Sequence, residues 1–140
     1  MRKARHNISV NKIDEPLKNL ECFHNEMNKF YNKITHWACI GKDSAEDENV
    51  LHEELRDILS KYLTLNYYEY TQQELIPQNG FDNDFTKVNV SWFKSDGVKT
   101  IIEITELNHK FKYTLYKETD SWRIDLREVF DEIKKYWKSW

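Results

Sequence analysis

The chain has little of what usually interrupts a fold. Its 140 residues include only three Gly and two Pro, too few for low-complexity linkers or long disordered tracts. Gly41, Gly80 and Gly97 stand alone, so a glycine-rich loop that cradles phosphate is excluded. No apolar run approaches the roughly 18 residues that span a bilayer, and no membrane association is expected. The basic start Met1-Arg2-Lys3-Ala4-Arg5-His6 is followed by no apolar block; a secretory leader is not expected and the cytoplasm is the default compartment. The net charge of −3 comes without a basic stripe, so nucleic acid is not an expected partner. Cys is scarce as well. Cys22 and Cys39 fall 17 positions apart on one expected helix, about 25 Å, too far to pair with each other. Two unpaired thiols suit a reducing compartment.

Rings and charges are plentiful. Aromatics make up 14% of the residues and charged residues 32%, enough for one domain whose core volume comes largely from rings. The pattern places them in order. Leu20, Phe23, Met27, Phe30, Tyr31, Ile34 and Ala38 recur at 3.6-residue spacing, predicting a helix over about 17–40 that Gly41 ends. Ser44, followed by Glu46, Asp47 and Glu48, predicts the start of a second helix with Leu51, Leu55, Ile58, Leu59 and Tyr62 inward. The short connection makes the two helices antiparallel neighbours.

From Thr64 the pattern reads as strands. Residues 65–76 alternate poorly, Pro77-Gln78-Asn79-Gly80 is a turn, and 85–94 is a strand with Val88, Val90 and Trp92 on one face. Asp96-Gly97 signals a hairpin into a strand with Ile102 and Ile104 inward. A second hairpin follows, with Phe111, Tyr113 and Leu115 facing Trp122 and Ile124. Asp125 with Glu128 forms a capping-box pattern, predicting a C-terminal helix with Leu126, Val129, Phe130, Ile133, Tyr136, Trp137 and Trp140 on one face. The class is therefore α+β, helices on a curved antiparallel sheet.

Chemistry-bearing motifs are sparse. His36 and Cys39 share an i, i+3 spacing, but no second close pair accompanies them, so no metal and no cofactor is expected. His52-Glu53-Glu54 lacks a second His, and no Gly-x-Ser-x-Gly elbow occurs, so no catalytic residue is assigned. Glu106 would point inward if the parity of Ile102 and Ile104 persisted, near Tyr113; the simpler expectation is a solvated carboxylate at a strand end. Two surface groups remain as contact candidates. The acids Asp43, Glu46, Asp47 and Glu48 suit a basic partner or simply the helix start. Tyr67, Tyr68 and Tyr70 suit an interface or sheet packing.

Several local patterns, in this order, carry a resemblance: Phe23-His24-Asn25-Glu26-Met27-Asn28, Ile58-Leu59-Ser60-Lys61-Tyr62-Leu63-Thr64, Phe111-Lys112-Tyr113-Thr114-Leu115, Ser121-Trp122-Arg123-Ile124-Asp125 and a closing helix with Trp137. In these the chain resembles bacterial immunity proteins with the fold of nuclear transport factor 2, which occur beside polymorphic toxin genes. It departs from them after Thr64, where Leu65-Asn66-Tyr67-Tyr68-Glu69-Tyr70 stands in place of a more basic stretch. The resemblance covers most of the chain from about residue 18 and implies a conical domain with a helix added at the C-terminus; one domain over residues 1–140 is expected, with 1–16 as a loosely ordered N-terminal arm. It implies a non-enzymatic role: binding and neutralising a cognate toxin C-terminal domain, as monomer or homodimer. The competing expectation is an isomerase- or dehydratase-like enzyme, or a ligand-binding protein, using the pocket of the same cone.

Overall fold

The computed structural model describes residues 2–71, 81, 83–106, 109–119 and 121–139, with side chains described from residue 14 onward. Helix α1 spans Arg2–Cys39, beginning ahead of Leu17 and taking Pro16 into its interior. Its buried stripe is Leu20, Phe23, Met27 and Phe30, one helical face at three- and four-residue steps. Gly41 ends it at φ +72°, a left-handed conformation that only Gly adopts without strain. Gly41 N–H donates to Ala38 O (3.3 Å) and Lys42 N–H to Trp37 O (2.8 Å), the paired bonds of a Schellman stop.

Helix α2 spans Ala45–Tyr62 and starts on a full capping box. The Ser44 hydroxyl accepts from Asp47 N–H (3.1 Å), while the Asp47 carboxylate accepts from Ser44 N–H (3.3 Å). Ile58 and Leu59 are its buried residues. Ion pairs Lys33–Glu54 (2.8 Å) and Lys61–Glu26 (3.5 Å) line the seam with α1; all four side chains are more than a third exposed, so they orient more than they stabilise.

Residues Leu65–Thr71 form a third helix, α3, where a strand is expected from composition. Thr64 explains the difference. Its hydroxyl accepts from Tyr67 N–H (3.3 Å) and its carbonyl from Tyr68 N–H (2.8 Å), an N-cap geometry. Tyr67 and Thr71, four apart, are the buried residues, so the poor alternation is a helical spacing. The remainder of that expected strand, and the turn at Pro77-Gln78-Asn79-Gly80, lie outside the described residues.

The sheet is a five-stranded antiparallel meander in sequence order: β1 Asn89–Ser95, β2 Lys99–Glu106, β3 His109–Glu118, β4 Ser121–Asp131 and β5 Tyr136–Ser139. The strand expected from Phe85 begins only at Asn89; Asp84 instead caps a 3₁₀ turn over Phe85–Lys87, accepting from Thr86 N–H at 3.0 Å. Gly97 takes φ +90° in the first hairpin, where the Asp96 carboxylate holds the N–H groups of Val98 and Lys99 at 2.8 Å each. Thr100, Ile102, Ile104 and Glu106 of β2 and Phe111, Tyr113 and Leu115 of β3 alternate inward under the helices.

The expected C-terminal helix is not formed. Its first half is the second half of β4 and its end is β5. Residues 126–129 pair with β3 from Thr114 back to Phe111, and Phe130 pairs with Trp137 across the final hairpin. A helix here would leave the inner strand β3 with an unpaired edge, and Val129, Phe130, Tyr136 and Trp137 are good strand residues. Asp131 makes the turn: its carboxylate accepts from Ile133 N–H (2.9 Å) and Lys134 N–H (3.0 Å) and pairs with Lys138 (2.9 Å). The Lys134 N–H first, then the Lys138 side chain, bring its pKa down to about 2. Asp125, expected as a helix cap, is an unpaired bulge residue between Ile124 and Leu126; its carboxylate accepts from the Thr64 hydroxyl at 2.7 Å. Trp140 lies outside the described residues.

A second bulge corrects the inner-face assignment. Val90 pairs with Ile104 and Trp92 with Glu103, so Ser91 is the extra residue. Parity flips there: Trp92 joins Glu103 on the outer face and is 47% exposed rather than buried. The other expected inner residues, Phe111, Tyr113, Leu115, Trp122 and Ile124, are buried with Phe23, Met27 and Phe30 in one hydrophobic cluster, and Ile34 is partly buried against it.

Candidate functional site

The interior is not purely apolar. The unbroken parity of β2 carries Glu106 inward, where it is 2% exposed, against the expectation of a solvated strand end. Its Oε1 accepts from the backbone N–H (3.0 Å) and side-chain amide (3.3 Å) of Asn83. His24 lies on the buried stripe of α1 beside Phe23. Its Nε2 sits 2.8 Å from the Asn83 carbonyl; a carbonyl can only accept, so Nε2 carries the proton. The same nitrogen is 3.9 Å from Glu106 Oε2. Burial, the dominant cause, lowers the His24 pKa, opposed by the Asn83 carbonyl and the Glu106 charge.

Arg127 is among the largest fully buried side chains of the described residues. The bulge at Asp125 turns it inward, opposite Tyr113. Its Nε donates to the Tyr113 hydroxyl (2.7 Å) and its backbone N–H to the Tyr67 hydroxyl (3.0 Å). The guanidinium carbon stands 4.4 Å from the Phe111 ring centre and 4.6 Å from that of Phe81, a desolvated cation–π cage. Burial pushes the Tyr113 and Tyr67 pKa values up and that of Tyr31 up to about 12, so all three hydroxyls stay protonated at neutral pH. An inward carboxylate and a nearby phenol are what an isomerase of this shape would need. Here Glu106 is turned onto Asn83, Tyr113 holds Arg127, and the rings of Phe81 and Phe111 pack on the guanidinium.

The surface candidates separate. Asp43, Glu46 and Glu48 are exposed and Asp47 is half-buried in the capping box. Tyr67 is 3% exposed and so is withdrawn from the expected exposed-ring surface; Tyr68 is half-buried. Tyr70 is 48% exposed and stacks on Tyr67 at 6.1 Å. The acids and the tyrosines flank opposite ends of the 18-residue α2, about 27 Å apart along its axis. They are two places, not one patch. His36 and Cys39 are both exposed, and no group of three metal-ligating side chains occurs among the described residues.

Sequence reasoning missed Arg127, whose charge hid it on the polar side of an expected helix, and the outer face of the sheet. There Phe130 and Trp137 meet at 5.2 Å, with Lys112 4.3 Å from the Trp137 ring centre and Lys110 5.6 Å from that of Phe130.

Among the described residues, three helices come first and pack on the inner face of the antiparallel meander that follows. A family model described as NTF2 fold immunity protein matches residues 15–140. The chain belongs to this family. The match takes in most of α1 and every element after it. No curated protein and no solved structure matches the chain. As an NTF2-fold immunity protein it has, in general terms, a toxin for a partner. None of the described helices is long and apolar enough to cross a membrane.

Proposed function

We propose that this NTF2-fold immunity protein neutralises one cognate toxin domain in the cytoplasm by binding it directly, with no chemistry of its own. The observation that carries this reading is the family match over residues 15–140. The interior supports it, because Glu106 through Oε1, His24 through Nε2, Asn28 and Tyr113 each bond to the chain's own backbone or side chains, while Glu106 Oε2 and His24 Nδ1 are buried with no hydrogen-bond partner among the described residues. A small-molecule enzyme would need those groups turned toward an open pocket.

For the contact itself, the acids Asp43, Glu46, Asp47 and Glu48 are the first candidates, set against a basic toxin surface, with Tyr68 and Tyr70 at the far end of α2. A footprint of about 800 Å² per partner is roughly 30 Å across, which reaches both. Charge there acts mainly on the association rate. Replacing the four acids with Asn or Gln keeps acceptors for the Ser44 cap. We expect the on-rate for the cognate toxin domain to fall about tenfold at low salt, with the difference fading once screening shortens below about 10 Å. An unchanged on-rate removes the acidic end from the interface. Absence of any binding by the unaltered protein removes the contact reading itself.

A further inference from the structure

The described residues 81 and 83–87 contribute no strand to the sheet, yet their backbone is held by side chains from two elements. Asn28 donates to the Phe81 carbonyl (2.7 Å), His24 to the Asn83 carbonyl (2.8 Å), Glu106 accepts from Asn83 N–H (3.0 Å) and Asn25 accepts from Phe85 N–H (2.9 Å). Three clamps, His24, Asn25 and Asn28, come from within little more than one turn of α1, and the fourth from the last residue of β2. Two rings of the segment are buried, Phe81 at 0% and Phe85 at 8% exposed. The His24 imidazole lies between them, 5.4 Å and 5.3 Å from their centres.

We propose that this segment is a strap closing the cone at the β2–β3 end, that it lifts under mild acid, and that His24 is the group through which a proton releases it. The inference stands apart from the immunity reading. In the closed form the Asn83 carbonyl fixes the proton on Nε2, so a second proton must go to Nδ1, which is buried with no hydrogen-bond partner among the described residues. The charged groups acting on the ring come from each packed element: Glu106 of β2 and Asp84 of the strap favour the imidazolium, while Arg127 of β4 opposes it. From β3, Tyr113 contributes the hydroxyl that holds Arg127. Burial outweighs the favourable charges and the closed-form pKa is depressed. A lifted strap exposes the ring and restores a value near 6.5, so the open form binds more protons. The closed form is therefore fully favoured above about pH 6.5 and loses ground as pH falls below it. Lifting uncovers the Arg127 cage.

Amide hydrogen exchange reads the strap directly. Protection of the Asn83 and Phe85 amides, corrected for intrinsic rates, should fall about tenfold between pH 7.5 and 5.0, within a ceiling of about 30-fold for a ring of ordinary open-form pKa. Amides of β2 and β3 should keep theirs. In His24→Gln, whose amide can still donate to the Asn83 carbonyl, the two strap amides should show equal protection at both pH values. Unchanged protection in the unaltered protein, the same fall in His24→Gln, or a fall shared equally by β2 and β3 would each overturn the proposal. Should His24→Gln fail to fold, NMR titration of the His24 ring in the unaltered protein decides: proton uptake that tracks the strap amides supports it. A ring that stays neutral while they lose protection, or charges while they keep it, overturns it.

Discussion

Arg127→Ala should lower the unfolding free energy by about 3–5 kcal/mol, seen as a lower urea midpoint with an unchanged slope. Arg127 is 1% exposed, and truncation opens a void between Phe81 and Phe111, which loses packing on both sides. It also takes from the buried Tyr113 oxygen the donor it accepts at 2.7 Å, and an imperfectly satisfied buried group costs about 1–3 kcal/mol. The Glu106 carboxylate, whose charge and that of Arg127 act with opposite sign on Tyr113 and His24, meanwhile stays buried. Packing and charge can be told apart. Arg127→Met restores most of the volume without the charge, so it should be milder than Arg127→Ala while still costing more than about 1 kcal/mol. Adding Glu106→Gln to Arg127→Met should then cost less than Glu106→Gln alone, because the lone carboxylate is what the missing cation exposes. Additive losses would show that the two charges do not interact. An Arg127→Ala loss below about 1 kcal/mol would mean that the cage is not closed in solution.

How much of this interior was legible before the structure follows from two bulges. Strict alternation reads correctly through β2 and β3, where Thr100 to Glu106 and Phe111 to Leu115 keep one parity, and the three- and four-residue spacing of α1 reads correctly from Leu20 to Phe30. On β1 and β4 a single extra residue, Ser91 and Asp125, exchanges the faces for all that follows. Trp92 goes out; Leu126 falls opposite Thr114, partly buried at the edge of the core, and Arg127 comes in. Neither bulge residue announces itself. Asp125 followed by Glu128 instead mimics a helix start, and Leu126, Val129 and Phe130 fit helical spacing as well as strand pairing, while Ile133 falls in the turn beyond β4. Only the need of β3 for a partner distinguishes them, and that is a tertiary demand. The strap clamps were illegible for a similar reason. His24, Asn25 and Asn28 sit in a segment whose resemblance is visible, but their hydrogen bonds reach residues more than 50 positions away.

The two tryptophans of β1 and β4 test that parity directly. Trp122 is 5% exposed and pairs into the hydrophobic cluster with Leu115 and Ile124. Its carbonyl accepts from the Asn19 amide of α1 at 3.0 Å, so the helix crosses over this end of β4. Truncating so large a buried ring leaves a cavity that the sheet and α1 cannot both close, and Trp122→Ala should cost about 3–5 kcal/mol. Trp92 carries the same ring on the outer face at 47% exposure, opposite Glu103. Trp92→Ala removes a ring that is already half in water, so its cost should stay well below that of Trp122→Ala. Urea unfolding of both variants beside the unaltered protein measures the difference. Equal losses, or a greater loss at Trp92, would place Trp92 inward and the Ser91 bulge elsewhere. The expected ordering would leave Trp92 as an exposed ring on the same face as Lys112 and Trp137, and in that case Trp92→Ala belongs in the toxin-binding measurements as a variant that folds normally.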